Sequence, residues 1–297
     1  MRFYYSHNYV FPLPPEHPFP IQKYSEVANQ LLDCGLVGAE RLCDPGLVSE
    51  EDLLLVHEPE YISKFKSGTL DAQVLRKIGF PWSAEFVRRS HAAVAGTLAA
   101  SLSAIADGIS FNLAGGTHHA FPDRGEGYCV FNDVAIAVRK MKKRAAIIDL
   151  DAHQGNGTNF ILGGDPQVYT FSMHVGTNFP SKKFPGSEDI GLGRGVTGDI
   201  YLTILKERLP ALLAAFAPQL VFYVAGVDVH ERDRFGQMAL TTSEVAERDA
   251  YTINTVLARG LPLVIVMGGG YNKERAQTAA LHLQTAKIAL LGARQYC

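Results

Sequence analysis

The chain has few cysteines, no long apolar run and almost no net charge, and each of these absences excludes a class of protein. Its four cysteines, Cys34, Cys43, Cys129 and Cys297, include no CxxC pair, which argues against a thiolate metal site or a disulfide scaffold. No run of about 18 apolar residues occurs, and the N-terminus lacks the apolar segment of a signal peptide. A formal net charge of −2 gives no reason to expect nucleic acid as a partner. We therefore expect a cytoplasmic protein with no membrane span and no implied partner protein.

Short apolar runs alternate with helical patterns over most of the chain. The predicted strands are Ile109–Leu113, Ala145–Leu150, Val168–Met173, Leu220–Ala225 and Leu263–Met267. The predicted helices include Ala84–Ala106, Asn132–Lys143, Leu202–Phe216 and Ser243–Ala258, while the proline-rich segment Pro12–Pro20 is predicted to be a surface loop. Fully apolar strands between helices indicate an α/β fold of three layers, with a central, mostly parallel sheet covered on both faces. No repeat or linker divides residues 1–297, so a single domain is expected.

Polar side chains follow four of these strands at the point where each strand ends. They are His118-His119 after a Gly-Gly-Thr turn, Asp149, Asp151 and His153 in one short stretch, Asp228 after Ala-Gly-Val, and Tyr271 after three glycines. Ligands of parallel α/β sheets bind beyond the carboxyl ends of the strands. The sequence therefore predicts one site built from all four segments.

A metal explains the acidic part of this set. In an extended segment, Asp149, Asp151 and His153 would share one face, where burial is costly unless a cation neutralises the carboxylates. With Asp228, the pair Asp151 and His153 makes a three-ligand set that leaves a position open, as a catalytic zinc site requires. A hydrogen-bonded strand end with capping aspartates is the simpler alternative for any single aspartate.

The histidine pair and the tyrosine are ambiguous by themselves. His118 and His119 could be ordinary buried histidines, yet beside a metal and a water they could share general acid and base roles. Tyr271 could be a packed aromatic, yet a phenol there could donate a hydrogen bond to an oxyanion.

Together these segments resemble the histone deacetylases of the arginase/deacetylase superfamily and their bacterial relatives. The matching stretches are Gly115–Ala120, Gly127–Asp133, Asp149–Gly157, Ala225–Asp228 and Gly268–Tyr271, in order and over nearly the whole chain. The stretches Asp123–Gly125 and Asp233–Gly236 look most similar to the class IV branch. The resemblance implies the arginase/deacetylase fold and zinc-dependent hydrolysis of Nε-acyl-lysine amides.

The resemblance also implies roles for individual residues. Zinc would be held by Asp151, His153 and Asp228. His119 would be the general base, hydrogen-bonded by Asn156, and His118 would be an electrostatic partner supported by Asp149, while Tyr271 would stabilise the oxyanion. A tunnel for the acyl-lysine chain would be lined by Tyr128, Phe179, Gly127 and Gly269. A potassium site would be formed around Asp149, Asp151, His153, Ser172 and Met173.

One family feature has no counterpart in this sequence. The acidic loop residue that binds the substrate backbone cannot be placed, because the region 79–83 contains no aspartate. The sequence therefore leaves the substrate open.

Several alternatives remain from the sequence. The same chemistry could act on an acetylated polyamine or another small N-acyl amine, or the chain could bind acyl-lysine without catalysis. An arginase-type enzyme with two manganese ions needs a second Asp-x-Asp pair, whereas Asp228 is followed by Val229-His230-Glu231. Iron(II) is an alternative to zinc, because two carboxylates and one histidine do not select zinc uniquely.

Overall fold

A computed structural model describes residues 1–297, which form one eight-stranded sheet flanked by helices. All strand pairs are parallel, and the strand order is β2-β1-β3-β8-β7-β4-β5-β6. The strands are β1 (Arg2–Tyr4), β2 (Leu42–Cys43), β3 (Ile109–Asn112), β4 (Ala145–Asp149), β5 (Val168–Val175), β6 (Glu188–Leu192), β7 (Leu220–Val224) and β8 (Leu263–Val266).

Ten helices cover the two faces of the sheet. They are α1 (Lys23–Asp33), α2 (Glu50–Leu53), α3 (Pro59–Ser67), α4 (Ala72–Ile78), α5 (Ala84–Asp107), α6 (Asp133–Met141), α7 (Asn156–Leu162), α8 (Gly198–Phe216), α9 (Thr242–Leu257) and α10 (Arg275–Tyr296). In one layer α5 packs on α6 and α6 on α7, and in the other α8, α9, α10 and α1 pack in sequence. The predicted three-layer α/β fold is confirmed.

The central strands are apolar because both of their faces are covered. Every residue of β4, β7 and β8 is buried, as expected for parallel strands between two helical layers. The four central neighbours β3, β8, β7 and β4 also end in register, with Asn112 opposite Val266, Val266 opposite Val224, and Val224 opposite Asp149. The loops that follow these four strands therefore begin at the same edge of the sheet.

Some elements differ from the sequence expectation. The short outer strands β1, β2 and β6 were not predicted, because two or three residues, or the polar sequence of β6, give no strand pattern. The segment predicted as a surface loop, Pro12–Pro20, is non-helical as expected, but Phe19 and Pro20 are buried. Strand β4 ends at Asp149, so Asp151 and His153 lie in the following loop and not on one face of an extended strand. No helix combines the length and apolar character needed to cross a membrane.

Candidate active site

The three residues predicted as metal ligands converge in the loops that follow β4 and β7. Nδ1 of His153 lies 3.1 Å from Oδ1 of Asp151 and 3.0 Å from Oδ2 of Asp228. All three side chains are buried. The other oxygen of each carboxylate accepts a hydrogen bond from a backbone N–H. Oδ2 of Asp151 accepts from Gly269 at 2.7 Å, and Oδ1 of Asp228 accepts from Ala152 at 2.9 Å. The remaining oxygens are thereby fixed toward the histidine.

This donor set fits a divalent metal ion. Zinc bonds of about 2.0–2.2 Å in a tetrahedral arrangement place neighbouring ligand atoms roughly 3.3–3.5 Å apart, close to the separations measured here. Two buried carboxylates side by side need a positive charge, and no lysine or arginine forms an ion pair with Asp151 or Asp228. This buried Asp-His-Asp group could therefore bind a metal, and its composition suits zinc or iron(II).

Glycine at position 269 is required by the close approach of two carboxylates. A Cβ atom there would meet Oδ2 of Asp228 and would lie 2.7 Å from Oδ2 of Asp151. The backbone at this point can therefore approach and hydrogen-bond Asp151 only without a side chain.

The variant Gly269→Ala is expected to weaken zinc binding about 10- to 100-fold, the range for loss of groups that orient metal ligands. Competition with a chromogenic chelator would measure this affinity. Gly193→Ala is the matched control, because a Cβ at Gly193 meets no atom within 4 Å. Equal zinc affinity in the two variants would contradict the assigned ligand set.

The two adjacent histidines turn their rings to the same side but have different supports. Their ring centroids are 4.1 Å apart, and both side chains are buried. Nδ1–H of His118 donates to Oδ2 of Asp149 at 2.7 Å, whereas Nδ1–H of His119 donates to the amide oxygen of Asn156 at 2.7 Å. The amide of Asn156 is oriented in turn by donating to Oε1 of Glu126 at 2.7 Å. Each ring therefore keeps Nε2 free of these supports.

The surroundings shift the pKa values of the two rings in opposite directions. Burial lowers the pKa of His118, but the nearby carboxylates of Asp149 and Asp151 outweigh burial and raise that pKa to about 9. Burial, with the neighbouring His118 and His153, holds the pKa of His119 well below its usual value. A carboxylate partner thus favours imidazolium at His118, while a neutral amide partner leaves His119 as free imidazole.

Tyr271 is buried in the loop that follows β8, and Asp233 fixes its backbone. The N–H of Tyr271 donates to Oδ2 of Asp233 at 2.6 Å, while Oδ1 of the same carboxylate accepts from the N–H groups of Phe235 and Gly236 at 2.8 and 3.0 Å. The ring packs against Tyr128 and Phe235, with centroids 5.6 and 5.4 Å away. Asp233 therefore ties the loop after β7 to the loop after β8.

A pocket of about 350 Å³ leads from the surface to His119, His153 and Tyr271. Three of the four residues predicted for the tunnel, Gly127, Tyr128 and Phe179, line it. The Phe179 ring stands edge-on to His119 at 4.9 Å between centroids. Gly269 lies instead in the smaller cavity at the inner end, beside Asp151.

Of the residues expected around potassium, Asp149, Ser172 and Met173 lie on the neighbouring strands β4 and β5, while Asp151 and His153 lie in the loop after β4. Asp149 in β4 is the register partner of Ser172 in β5. The hydroxyl of Ser172 is hydrogen-bonded to Nδ1 of His174 at 2.9 Å. The potassium site stays a prediction.

Two supporting residues beyond Asp233 were also missed from the sequence. Glu126 orients Asn156, and the buried Arg248 on α9 donates to the carbonyls of Leu150 and Gly226 at 3.1 and 2.7 Å. Arg248 thus holds the start of both ligand-bearing loops. A charged residue on the buried face of α9, between Val245 and Thr252, is the sequence signal that could have revealed it.

His57 braces the loop that joins the histidine pair to Tyr128. Its Nδ1–H donates to the carbonyl of Phe121 at 3.0 Å, and its Nε2 accepts from the N–H of Asn132 at 2.9 Å. The second bond requires the neutral ring, because protonation at Nε2 removes the acceptor. Burial accordingly lowers the pKa of His57 to about 4.

The pH dependence of stability follows from this lowered pKa. In the unfolded chain His57 has a pKa of about 6.5, so it binds a proton below that pH, whereas the folded chain binds this proton only near pH 4. The contribution of neutral His57 to the free energy of unfolding is therefore present above pH 6.5 and is lost as the pH falls toward 4. His57 alone should account for about 2 kcal/mol of unfolding free energy lost between pH 7 and pH 5.

Urea titrations of the wild type and His57→Gln at these two pH values would measure the loss. The variant cannot titrate at this position, so it should lose less stability than the wild type over this interval. Equal losses in the two proteins would show that His57 does not titrate in this range.

Comparisons with known proteins agree with this architecture. The family model described as the histone deacetylase domain matches residues 17–287. An uncharacterized protein of Picosynechococcus sp. is 45% identical over 91% of this chain and 91% of its own. Histone deacetylase 2 of Arabidopsis thaliana is 31% identical over 89% of this chain and 72% of its own. Acetoin utilization protein AcuC of Staphylococcus aureus (strain MSSA476) is 30% identical over 86% of this chain and 73% of its own.

A solved structure also shares the fold. The crystal structure of the HDA15 HD domain matches with a TM-score of 0.79 at 18% identity, covering 100% of this chain and 93% of that one. The family match extends over most of the chain and includes every segment that forms the site. The chain therefore belongs to the histone deacetylase family and is a hydrolase that acts on amide bonds.

Proposed function

We propose that this protein is a zinc-dependent deacylase that hydrolyses the amide bond of Nε-acyl-lysine. One observation supports the proposal: a buried Asp-His-Asp group that could hold a metal, two differently supported histidines and a buried tyrosine meet at the inner end of one pocket. Residues 1–297 would act as a single catalytic domain. Zinc held by Asp151, His153 and Asp228 would polarise the amide carbonyl and make the attacking water more acidic.

In this proposal His119 is the general base. Its Nδ1–H is committed to the neutral Asn156, so the lone pair on Nε2 is available to take a proton from the attacking water. The same nitrogen can return that proton to the leaving amine. His118, held by Asp149, would contribute positive charge beside the reacting centre.

Tyr271 would donate its phenolic proton in a hydrogen bond to the oxygen that becomes negative during attack. Its backbone is fixed by Asp233 and its ring by Tyr128 and Phe235. A donor placed in advance by such contacts needs little reorganisation during the reaction, which is the source of oxyanion stabilisation.

The pocket dimensions support a slender substrate. Gly127 lies so close to the pocket that a Cβ added to it would be 2.8 Å from Cδ2 of His119 and 2.9 Å from Cε1 of Phe179. Tyr128 and Phe179 also line the pocket, and an unbranched chain such as the four methylenes of lysine would suit walls of this kind. The potassium site around Ser172 remains part of the proposal as a structural support.

A small N-acyl amine is the second candidate substrate. The AcuC relative is named an acetoin utilization protein, which links one family member to small-molecule metabolism. The reaction would use the same residues, so only the substrate distinguishes the two candidates.

A substrate panel tests the proposal. The zinc-loaded protein would be given lysine peptides bearing acetyl to myristoyl groups, together with acetylated polyamines, and acyl release would be measured by mass spectrometry. Turnover of acyl-lysine peptides is expected, with a chain-length optimum set by the pocket. Turnover of polyamines alone would reject acyl-lysine as the substrate, and no turnover of any compound would leave an acyl-lysine binder.

A further inference from the structure

The mouth of the catalytic pocket carries positive charge only. Of the residues that line the pocket, Arg76, Lys77 and Arg234 are cations at its surface end, and none is an aspartate or glutamate. All three cations are exposed, and none forms an ion pair with a carboxylate of this chain. Their charges are therefore available to a bound molecule.

Two carboxylates, Glu126 and Asp233, adjoin pocket-lining residues in the sequence, but both are engaged in hydrogen bonds inside the protein. Glu126 accepts a hydrogen bond from Asn156, and Asp233 accepts three from backbone N–H groups. Both are committed to holding catalytic loops, so neither can swing out to neutralise the mouth without releasing Asn156 or Tyr271.

The three cations come from two separate segments. Arg76 and Lys77 lie in the last turn of α4, and Arg234 lies in the loop after β7. The end of α4 is hydrogen-bonded to the tunnel wall, since the N–H groups of Gly127 and Tyr128 donate to the carbonyls of Lys77 and Ile78 at 2.9 and 2.8 Å. The cations are thus mounted on the same backbone that forms the pocket.

Beyond Arg234 the charges are mixed. A neighbouring groove of about 400 Å³, which Arg234 also lines, carries Glu231, Asp233 and Glu274 together with Arg232 and Lys273. The excess of positive charge is therefore local to the catalytic mouth, and it is not a property of a chain whose formal net charge is −2.

We infer that Arg76, Lys77 and Arg234 are specificity-determining residues that select acyl-lysine in an acidic peptide context and disfavour cationic acylated amines such as polyamines. This inference rests on the proposed function. A chain entering the pocket must place its flanking groups beside these cations, where opposite charges attract and like charges repel. The selection should weaken with salt, because exposed charges are screened within about 8–10 Å at 0.10–0.15 M ionic strength.

The test separates binding from turnover. Two peptides with a lysine-like side chain ending in a hydroxamate, a metal-binding group, would differ only in two aspartates or two lysines beside that residue. Their affinities for the zinc-loaded protein would be measured by isothermal titration calorimetry at low and at high salt. We expect the acidic peptide to bind about tenfold more tightly at low salt, with the ratio falling toward one at high salt.

Charge reversal identifies the residues responsible. The triple variant Arg76→Glu/Lys77→Glu/Arg234→Glu should invert the preference between the two peptides. The control Arg259→Glu/Lys287→Glu/Arg294→Glu changes three other exposed cations that do not line the pocket and gives the same net charge, so it should keep the wild-type preference.

Equal affinity of the wild type for both peptides, or an unchanged preference in the mouth variant, would overturn the inference. The proposed function fails by a different result, namely charge-selective binding of the hydroxamates without hydrolysis of either matched acyl-lysine peptide.

Discussion

Replacing His119 with alanine is expected to lower kcat for acyl-lysine hydrolysis about 10³-fold, within the 10²- to 10⁴-fold range of general-base catalysis. The variant removes the imidazole that is hydrogen-bonded to the neutral amide of Asn156, and His118 has no such partner. His118 is a poor substitute, because its ring is paired with the Asp149 carboxylate, which raises the pKa of the ring and disfavours the neutral base. Steady-state rates at saturating peptide would measure the loss.

Zinc content and thermal stability decide what such a loss means. His119 is not among the three proposed ligands, so the variant and the wild type should each bind one zinc per chain. His7→Ala is the matched control, because His7 is exposed and outside the pocket. Activity within tenfold of the wild type in His119→Ala would assign the general base to another residue.

Replacing Tyr271 with phenylalanine is expected to lower kcat about 10²- to 10³-fold with little change in KM, the cost of removing one oxyanion donor. The phenyl ring keeps the packing against Tyr128 and Phe235, and the backbone bond to Asp233 is untouched. The change therefore removes the phenolic hydroxyl alone.

The ratio of effects on kcat and KM is informative for this variant. Tyr296→Phe, an exposed tyrosine at the end of α10, provides the control. A large rise in KM with kcat unchanged would place the Tyr271 hydroxyl in substrate binding and not in stabilisation of the transition state.

The sheet was largely predictable because its central strands obey a simple rule. Parallel strands that are buried on both faces are mostly apolar, and β4, β7 and β8 are short apolar runs, each followed by a loop that carries polar residues of the site. The outer strands β1 and β2 could not be found in this way, because two or three residues do not establish a pattern.

The site was predictable to the extent that its residues lie at strand ends. Because the carboxyl ends of neighbouring strands meet at one edge, the segments carrying His119, Asp151, Asp228 and Tyr271 could be brought together from sequence. The prediction that Asp151 and His153 share one face of an extended strand was wrong. They lie in a loop after Asp149, where Oδ1 of Asp151 accepts the N–H of His153 at 3.0 Å.

The supporting residues were less predictable. Glu126, Asp233 and Arg248 act through contacts across 30, 38 and 98 positions of sequence, respectively. Such contacts leave no periodic signal in a single chain. The positive mouth was also missed, because Arg76 and Lys77 at the end of α4 satisfy the usual preference for cations near a helix C-terminus.

The central claim is that one metal ion at Asp151, His153 and Asp228 supports amide hydrolysis in this pocket. The most direct measurement is acyl release from an acyl-lysine peptide by protein stripped with a chelator and then titrated with zinc. We predict no turnover in the stripped protein and full recovery at one zinc per chain. Turnover that persists without metal, or recovery that requires two metal ions per chain, would contradict the account.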